Sequence, residues 1–247
     1  VTWDSELNPS AAHGVTTVIT GNCGVGFAPV RPGREDHLVR LMEGVEDIPG
    51  TALHEGLAWD WASFPDYLDA LERRPRDIDL ATQVPHGALR LHVMGERGAQ
   101  REPASPEEIA AMGELAREAI RAGALGFTTS RTLNHRSSRG ESIPTLTASA
   151  DELVGIAMGV AEAGSGVLQV VSDYLDVESE FDVFRRMVRE SGRPLSLSLA
   201  QSARGGDTYR QVLDFAADRF AEARRSPEAA EGLRAFAEKR PPKWATE

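Results

Sequence analysis

The sequence predicts an α/β fold: a partial (β/α)8 barrel of about five βα units, with the first strand and the last strands missing. Two observations carry this. Short β-branched or apolar runs alternate with amphipathic helical stretches, the pattern of a parallel sheet built from βα units. A complete barrel needs ~250 residues, a length that this 247-residue chain has. Yet only five strand signals occur, and five strands do not close a barrel.

Strands are predicted at residues 15–21, 78–84, 124–129, 167–172 and 195–200. In the first, Thr16, Thr17, Val18, Ile19 and Thr20 are all β-branched, and Gly21, Gly24 and Gly26 then break the run. Between strands the helical signals are good. Ser105-Pro106-Glu107-Glu108 is a capping box with proline at the first helical position, and Ile109, Met112, Leu115, Ala116 and Ala119 follow at helical spacing. Ser149 and Glu152 repeat the box ahead of Leu153, Ile156, Ala157 and Val160. Phe181, Phe184 and Val188 make the same stripe. Trp59, Trp61 and Tyr67 accompany Phe64, Leu68 and Leu71, which fit a helix packed on the barrel exterior. After about residue 217 the strand signal stops. The predicted division is a partial barrel over 1–217 and a helical or atypical tail over 218–247.

Composition narrows the function classes. Hydrophobic residues make up 41% and charged residues 26%, as in an ordinary globular protein. No apolar run approaches the ~20 residues of a membrane-spanning helix. A formal charge of −11 argues against a nucleic-acid surface, which needs clustered Lys and Arg. The single cysteine excludes a disulfide framework and fits a reducing, cytoplasmic compartment.

Parallel strands bring their carboxyl ends to one face. Cys23 follows the first predicted strand, and His86 the second. Ser130, Arg131 and His135 follow the third, Ser172 and Asp173 the fourth, and Gln201 and Ser202 the fifth. Together they predict a polar rim. Cys23 is either a small buried hydrophobe or a thiolate acting as metal ligand or nucleophile. His86 either bonds a loop carbonyl or serves the site, and His135 lies in a Ser/Arg/Gly-rich loop whose default is solvent. Arg131 offers a bidentate fork to a substrate carboxylate or to an acidic neighbour. The glycines after the first strand lack the G-x-G-x-x-G spacing of a phosphate cradle, and Pro29 and Pro32 follow where a helix would start.

Three blocks resemble the D-aminoacylase (N-acyl-D-amino-acid deacylase) branch of the metal-dependent amidohydrolases. They are His13-Gly-Val-Thr-Thr-Val-Ile-Thr-Gly-Asn-Cys-Gly-Val-Gly-Phe-Ala-Pro29, Val84-Pro-His-Gly-Ala-Leu-Arg90 and Gly123-Ala-Leu-Gly-Phe-Thr-Thr-Ser-Arg131. Val1-Thr-Trp-Asp4 is similar to the residues after the family's first metal-binding motif. The resemblance implies a TIM-type barrel and zinc-dependent hydrolysis of a linear amide, releasing a D-amino acid from a small N-acylated substrate. It implies Cys23 as a zinc ligand, and His86, Ser130, Arg131 and His135 as substrate-binding residues. The family's His-x-His pair would lie before Val1 and its general-base Asp beyond Glu247, so the chain is expected to be a fragment, inactive alone. Ser172 and Leu199 stand where the family presents histidines. Two other readings remain: a binding protein that has lost its metal ligands, and a cysteine hydrolase using Cys23 with His86 as base.

Overall fold

The computed structural model describes residues 4–199 and 207–245. Strands β1 (Thr17–Thr20), β2 (Asp79–Pro85), β3 (Gly126–Arg131), β4 (Val167–Ser172) and β5 (Leu195–Ser198) form one parallel sheet in chain order. The register pairs Thr20 with Thr82, Val84 with Phe127, Thr128 with Gln169, and Gln169 with Ser196. All five predicted strands are present; β4 has its predicted bounds and β3 runs on to Arg131. Residue 200 of the last predicted strand, Gln201, Ser202 and the first three residues of the Val1-Thr-Trp-Asp4 block lie outside the described residues.

Helices fill the crossovers, as parallel pairing requires. Between β1 and β2 run α1 (Glu35–Glu46), α2 (Gly50–Gly56) and α3 (Phe64–Glu72). Helices α4 (His86–Met94), α5 (Glu96–Ala99) and α6 (Pro106–Ala122) lead to β3, α7 (Ala150–Glu162) to β4, and α8 (Val177–Ser191) to β5. The chain divides into two compact units. One holds residues 1–173 and 178–199, and the other residues 174–177 and 200–247. The described part of the second contains α9 (Thr208–Ala223) and α10 (Pro227–Ala237), so residue 217 falls inside a helix. No described helix is long and apolar enough to cross a membrane.

Local chemistry explains the helix starts. Ser105 and Glu108 form the predicted capping box at α6, and Ser63 and Asp66 form another at α3. At α7 only half of the predicted box exists. Ser149 accepts the Glu152 N–H at 3.1 Å, but the Glu152 carboxylate turns inward instead of back to the cap.

The helices cover one face of the sheet. Phe127, Leu168 and Val170 of the sheet are fully buried, as are Leu89, Met112, Leu153 and Ile156 of the covering helices. The opposite, concave face lines a hollow of about 420 Å³ beside Ile19, Gln83, Gln169, Ser196 and Ser198. Side chains alternate between these faces along each strand. In β3, Thr128 and Ser130 belong to the concave side, whereas Thr129 and Arg131 bond to groups on the helices.

Helices α6 and α7 touch backbone to backbone through Gly113, Gly155 and Gly159. A Cβ on Gly159 would sit 2.1 Å from the Gly113 carbonyl oxygen. Gly159→Ala is therefore expected to push the pair apart and cost about 1–3 kcal/mol by overpacking, read as a lower urea midpoint. An unchanged midpoint would show that the helices slide without penalty.

Candidate functional site

The Gly21-Asn22-Cys23-Gly24 turn is held tightly against the sheet. Gly24 has φ +68°, and a Cβ there would lie 2.9 Å from the Thr129 Cα. Both the dihedral and the space admit only glycine. A Cβ on Gly21 (φ +91°) would meet the Gln83 carbonyl oxygen at 2.7 Å. The turn is then tied to α4, because the Gly87 N–H donates to the Gly24 carbonyl at 3.0 Å. Cys23 is half-buried against Val25, Leu41 and Ile143, with Met42, Val45 and Leu146 packed on the same cluster. Ile143 and Leu146 come from the long β3–α7 loop, which Thr145 Oγ1 anchors on the Ser130 carbonyl at 2.6 Å. Burial pushes the Cys23 thiol up, and the Glu46 carboxylate adds to that.

On the helix side of the sheet, His86 is fully buried. Its Nδ1 lies 2.7 Å from Thr129 Oγ1 and its Nε2 lies 2.8 Å from Glu152 Oε1. An ionised carboxylate only accepts, so the ring proton sits on Nε2 and the Thr129 hydroxyl donates to Nδ1. Arg90, one turn further along α4, donates through Nη1 to both Glu152 oxygens at 2.6 and 2.5 Å, and through Nη2 to the Glu102 carbonyl. Burial pulls the His86 imidazole below its ordinary value, against the raising effect of Glu152. For Glu152, burial raises the carboxyl, but His86 and Arg90 outweigh it and hold the net below the usual range. The ring nitrogens of His86 thus bond side chains in a buried network, not a loop carbonyl.

Arg131 also points to the helices. Its Nε and Nη2 grip the Glu180 carboxylate at 2.9 and 2.6 Å, and its Nη1 reaches the Ala148 carbonyl at 2.8 Å. The acidic neighbour holds the fork that the sequence offered to a substrate. Ser172 Oγ donates to the same carboxylate at 2.8 Å.

The concave side carries a polar ladder. Gln83 Nε2 donates to Asn22 Oδ1 at 2.8 Å, and Thr128 Oγ1 donates to the Asn22 carbonyl at 2.8 Å. Thr128 also meets the Gln169 amide, whose Nε2 donates to Ser198 Oγ at 3.3 Å. Ser130, itself fully buried, bonds His135 Nδ1 at 2.8 Å. His135 is half-buried, and burial draws its imidazole below the ordinary value despite Glu46 and Asp173. Asp173 accepts the Thr132 hydroxyl at 2.5 Å and the Leu133 N–H at 2.7 Å, pinning the start of that loop.

The predicted rim therefore splits. Ser130, His135 and the Cys23 turn lie toward the concave side, while His86 and Arg131 lie behind it. Glu180, Thr128 and Gln169 were not singled out from the sequence, and Glu152 only as half of a capping box. Strand alternation was the available signal for Thr128. The two glutamates come from distant helices.

These residues do not by themselves fit a zinc ion. Three protein ligands are the norm for a catalytic site, and no group of three His, Cys, Asp or Glu side chains among the described residues could hold a metal. Cys23 is one donor, and His86 has both ring nitrogens engaged. The same engagement removes His86 as a base for Cys23, and a raised thiol is the opposite of an activated nucleophile.

The sequence profile of the amidohydrolase family matches residues 1–237. The chain is 39% identical over 124 residues to D-aminoacylase of Alcaligenes xylosoxydans xylosoxydans, covering 50% of this chain and 23% of that protein. It is 34% identical to N-acyl-D-aspartate deacylase of the same organism, again over 50% of this chain and 22% of that protein. A solved D-aminoacylase, studied for its binuclear metal centre, superposes with a TM-score of 0.55 at 30% identity, covering 76% of this chain and 35% of that one. The chain thus spans under a quarter of these curated relatives.

Two outcomes follow from the buried network. Glu152→Ala strands Arg90 and His86, and is expected to cost about 3–5 kcal/mol in urea unfolding; a loss below 1 kcal/mol would refute the network. The lowered His86 value makes stability depend on pH. The native ring stays neutral while the unfolded ring takes up a proton near the ordinary 6.5, so stability is full above that value and declines as pH falls through it. Glu152, also lowered, extends the loss below the ordinary 4.5. His86→Gln is expected to flatten the upper part of this decline, and an identical pH profile in that variant would contradict the assignment.

Proposed function

Because this chain belongs to the amidohydrolase family, we propose that it contributes the Cys23 side of a metal-dependent hydrolase acting on the amide of a small N-acyl-D-amino acid. The observation that carries this is the Cys23 turn, clamped by Gly21 and Gly24 at the carboxyl end of β1 beside a concave polar face. The 39% identity to a D-aminoacylase supports the substrate class. Zinc is the metal proposed, since a thiolate is a good zinc donor and a bound metal deprotonates it outright. One thiol does not hold a catalytic metal, so the proposal requires further ligands from outside the described residues.

This chain's own residues supply orientation. Asn22, Gln83 and Gln169, which line the concave hollow, offer amide partners to a substrate amide, and Thr128 holds Asn22 and Gln169 in place. Ser130 and His135 are proposed to contact substrate; the His135 Nε2 makes no hydrogen bond among the described residues, so it is the group left to do so. His86 and Arg131 are proposed to act as positioning residues. His86 fixes the α4 start, whose Gly87 N–H holds the Cys23 turn. A cytoplasmic setting belongs to the same proposal and is supported by the single free cysteine.

A second reading, a family member that binds without turnover, is favoured by Ser172 and Leu199 at positions where histidines are expected. The two separate experimentally. Zinc titration of the chain as it stands is expected to show weak binding, with a dissociation constant well above micromolar; stoichiometric submicromolar binding would contradict the single-donor assignment. In a polypeptide of the relatives' length, Cys23→Ala is expected to lower bound zinc and D-amino acid release together. Unchanged zinc and turnover in that variant would remove the proposal, and absence of turnover in the unaltered protein would favour the binding reading.

A further inference from the structure

A pocket of about 110 Å³ lies between the segment leading into α1 and the end of α4, and the site described above uses none of its residues. Arg31, Arg34 and His37 line it from one side, His92 and Glu96 from the other, with Val30 and Leu91 between. The chain as a whole carries a formal charge of −11, but this lining is positive. Even with both histidines neutral, two guanidiniums face the single carboxylate of Glu96.

The nearby acids are engaged elsewhere. Glu35 accepts the Gly33 N–H at 2.9 Å, and Asp36 lies 3.4 Å from His54. Glu96 lies 3.5 Å from His37 Nε2 and accepts Gln100 Nε2 at 3.2 Å. Arg31 donates once, from Nη2 to the Val93 carbonyl at 3.3 Å, and the Arg34 side chain bonds to none of the described residues. His92 Nδ1 is buried with no hydrogen-bond partner among the described residues. Burial, and after it the Arg31 charge, draw that imidazole below its ordinary value. A guanidinium fork matches the two oxygens of a carboxylate. Val30 and Leu91 narrow the choice further. A fully hydrated inorganic oxyanion gains nothing from apolar walls, whereas a carboxylate with a short apolar tail covers them. The volume is well below the roughly 300–1,000 Å³ of sites for drug-sized ligands, so the ligand has only a few heavy atoms.

We propose that this pocket binds a small aliphatic carboxylate of about two to four carbons, with its oxygens on Arg31 and Arg34 and its tail against Val30 and Leu91. The inference is independent of the hydrolase reading, because no residue of the Cys23 turn, the polar ladder or the Glu152 cluster lines the pocket. Arg31 and Arg34 belong to the stretch that runs from the Cys23 turn to α1, and His92 belongs to α4. A bound carboxylate therefore ties these two segments together and stabilises the folded chain by mass action.

Acetate, propionate and butyrate test the site when titrated into this chain at constant ionic strength. The Val30 and Gly95 amides and the His92 ring report binding by NMR. Butyrate is expected to bind with a dissociation constant of about 1–10 mM. Affinity is expected to rise about two- to fourfold per methylene from acetate to butyrate. Butyramide, which lacks the charge, and inorganic phosphate, which lacks the tail, are each expected to bind about fivefold more weakly or worse. Arg34→Gln breaks no hydrogen bond or ion pair among the described residues. It is expected to keep the melting temperature while loosening butyrate about fivefold or more, and Arg34→Lys to recover only part of that loss. Butyrate is also expected to raise the melting temperature by a few degrees in the unaltered chain and by less in Arg34→Gln. Phosphate binding as tightly as butyrate, affinity indifferent to Arg34→Gln, or shifts centred on Gln83 and Gln169 instead of His92 would overturn the proposal.

Discussion

The rest of the first unit is arranged around one buried carboxylate. Glu152, 1% exposed, takes both Arg90 and His86 as partners in a space without solvent. A charge is buried only if it is paired and hydrogen-bonded, and here Glu152 is held by Arg90 Nη1 and His86 Nε2, although Arg90 Nε is left buried without a partner. Arg90 and His86 are four residues apart on α4, so both project from one side of that helix. Glu152 opens α7, and Thr129, which completes the chain, sits on β3. One cluster therefore sets the relation of two helices and a strand. From His86 the constraint passes directly to the chemistry. The next residue, Gly87, donates to Gly24, and Gly24 presses on β3 so closely that no side chain fits. The position of Cys23 is thereby inherited from the ionic cluster behind the sheet.

Strand alternation gives this arrangement its logic. The run Thr128-Thr129-Ser130-Arg131 puts neighbouring residues on opposite sides. Thr129 and Arg131 serve the helices, and Thr128 and Ser130 turn to the other side, where Thr128 bonds Asn22 and Gln169 and Ser130 bonds His135. A parallel sheet covered by helices on one side normally closes its other side with branched apolar residues. This one carries Asn22, Gln83, Thr128 and Gln169 instead, an investment in polar groups that packing alone does not call for.

Much of the fold was legible in the sequence because its signals are local. β-Branched runs and capping boxes act over a few residues, so all five strands and the starts of α6 and α7 were found. The Cys23 turn was legible for the same reason, since its glycines mark a forced backbone. What was not legible depends on partners far along the chain. His86 and Glu152 are 66 residues apart, and Arg131 and Glu180 are 49 apart. No local pattern announces such pairs. Two clues were nonetheless present. His86 and Arg90 share a helical face, which favours one common partner, and parity along β3 separates Arg131 from Ser130. Reading the carboxyl ends as a single rim merged two faces that the pleat keeps apart.

The protonation state of His86 gives the most direct measurement of this arrangement. Nitrogen-15 NMR of the ring, followed from about pH 8 down to about pH 5, is expected to show a neutral imidazole with its proton on Nε2 well below the ordinary midpoint of about 6.5. A ring that becomes imidazolium at or above that midpoint, or that carries its proton on Nδ1, would contradict a Glu152-centred cluster and leave the placement of Cys23 without its support.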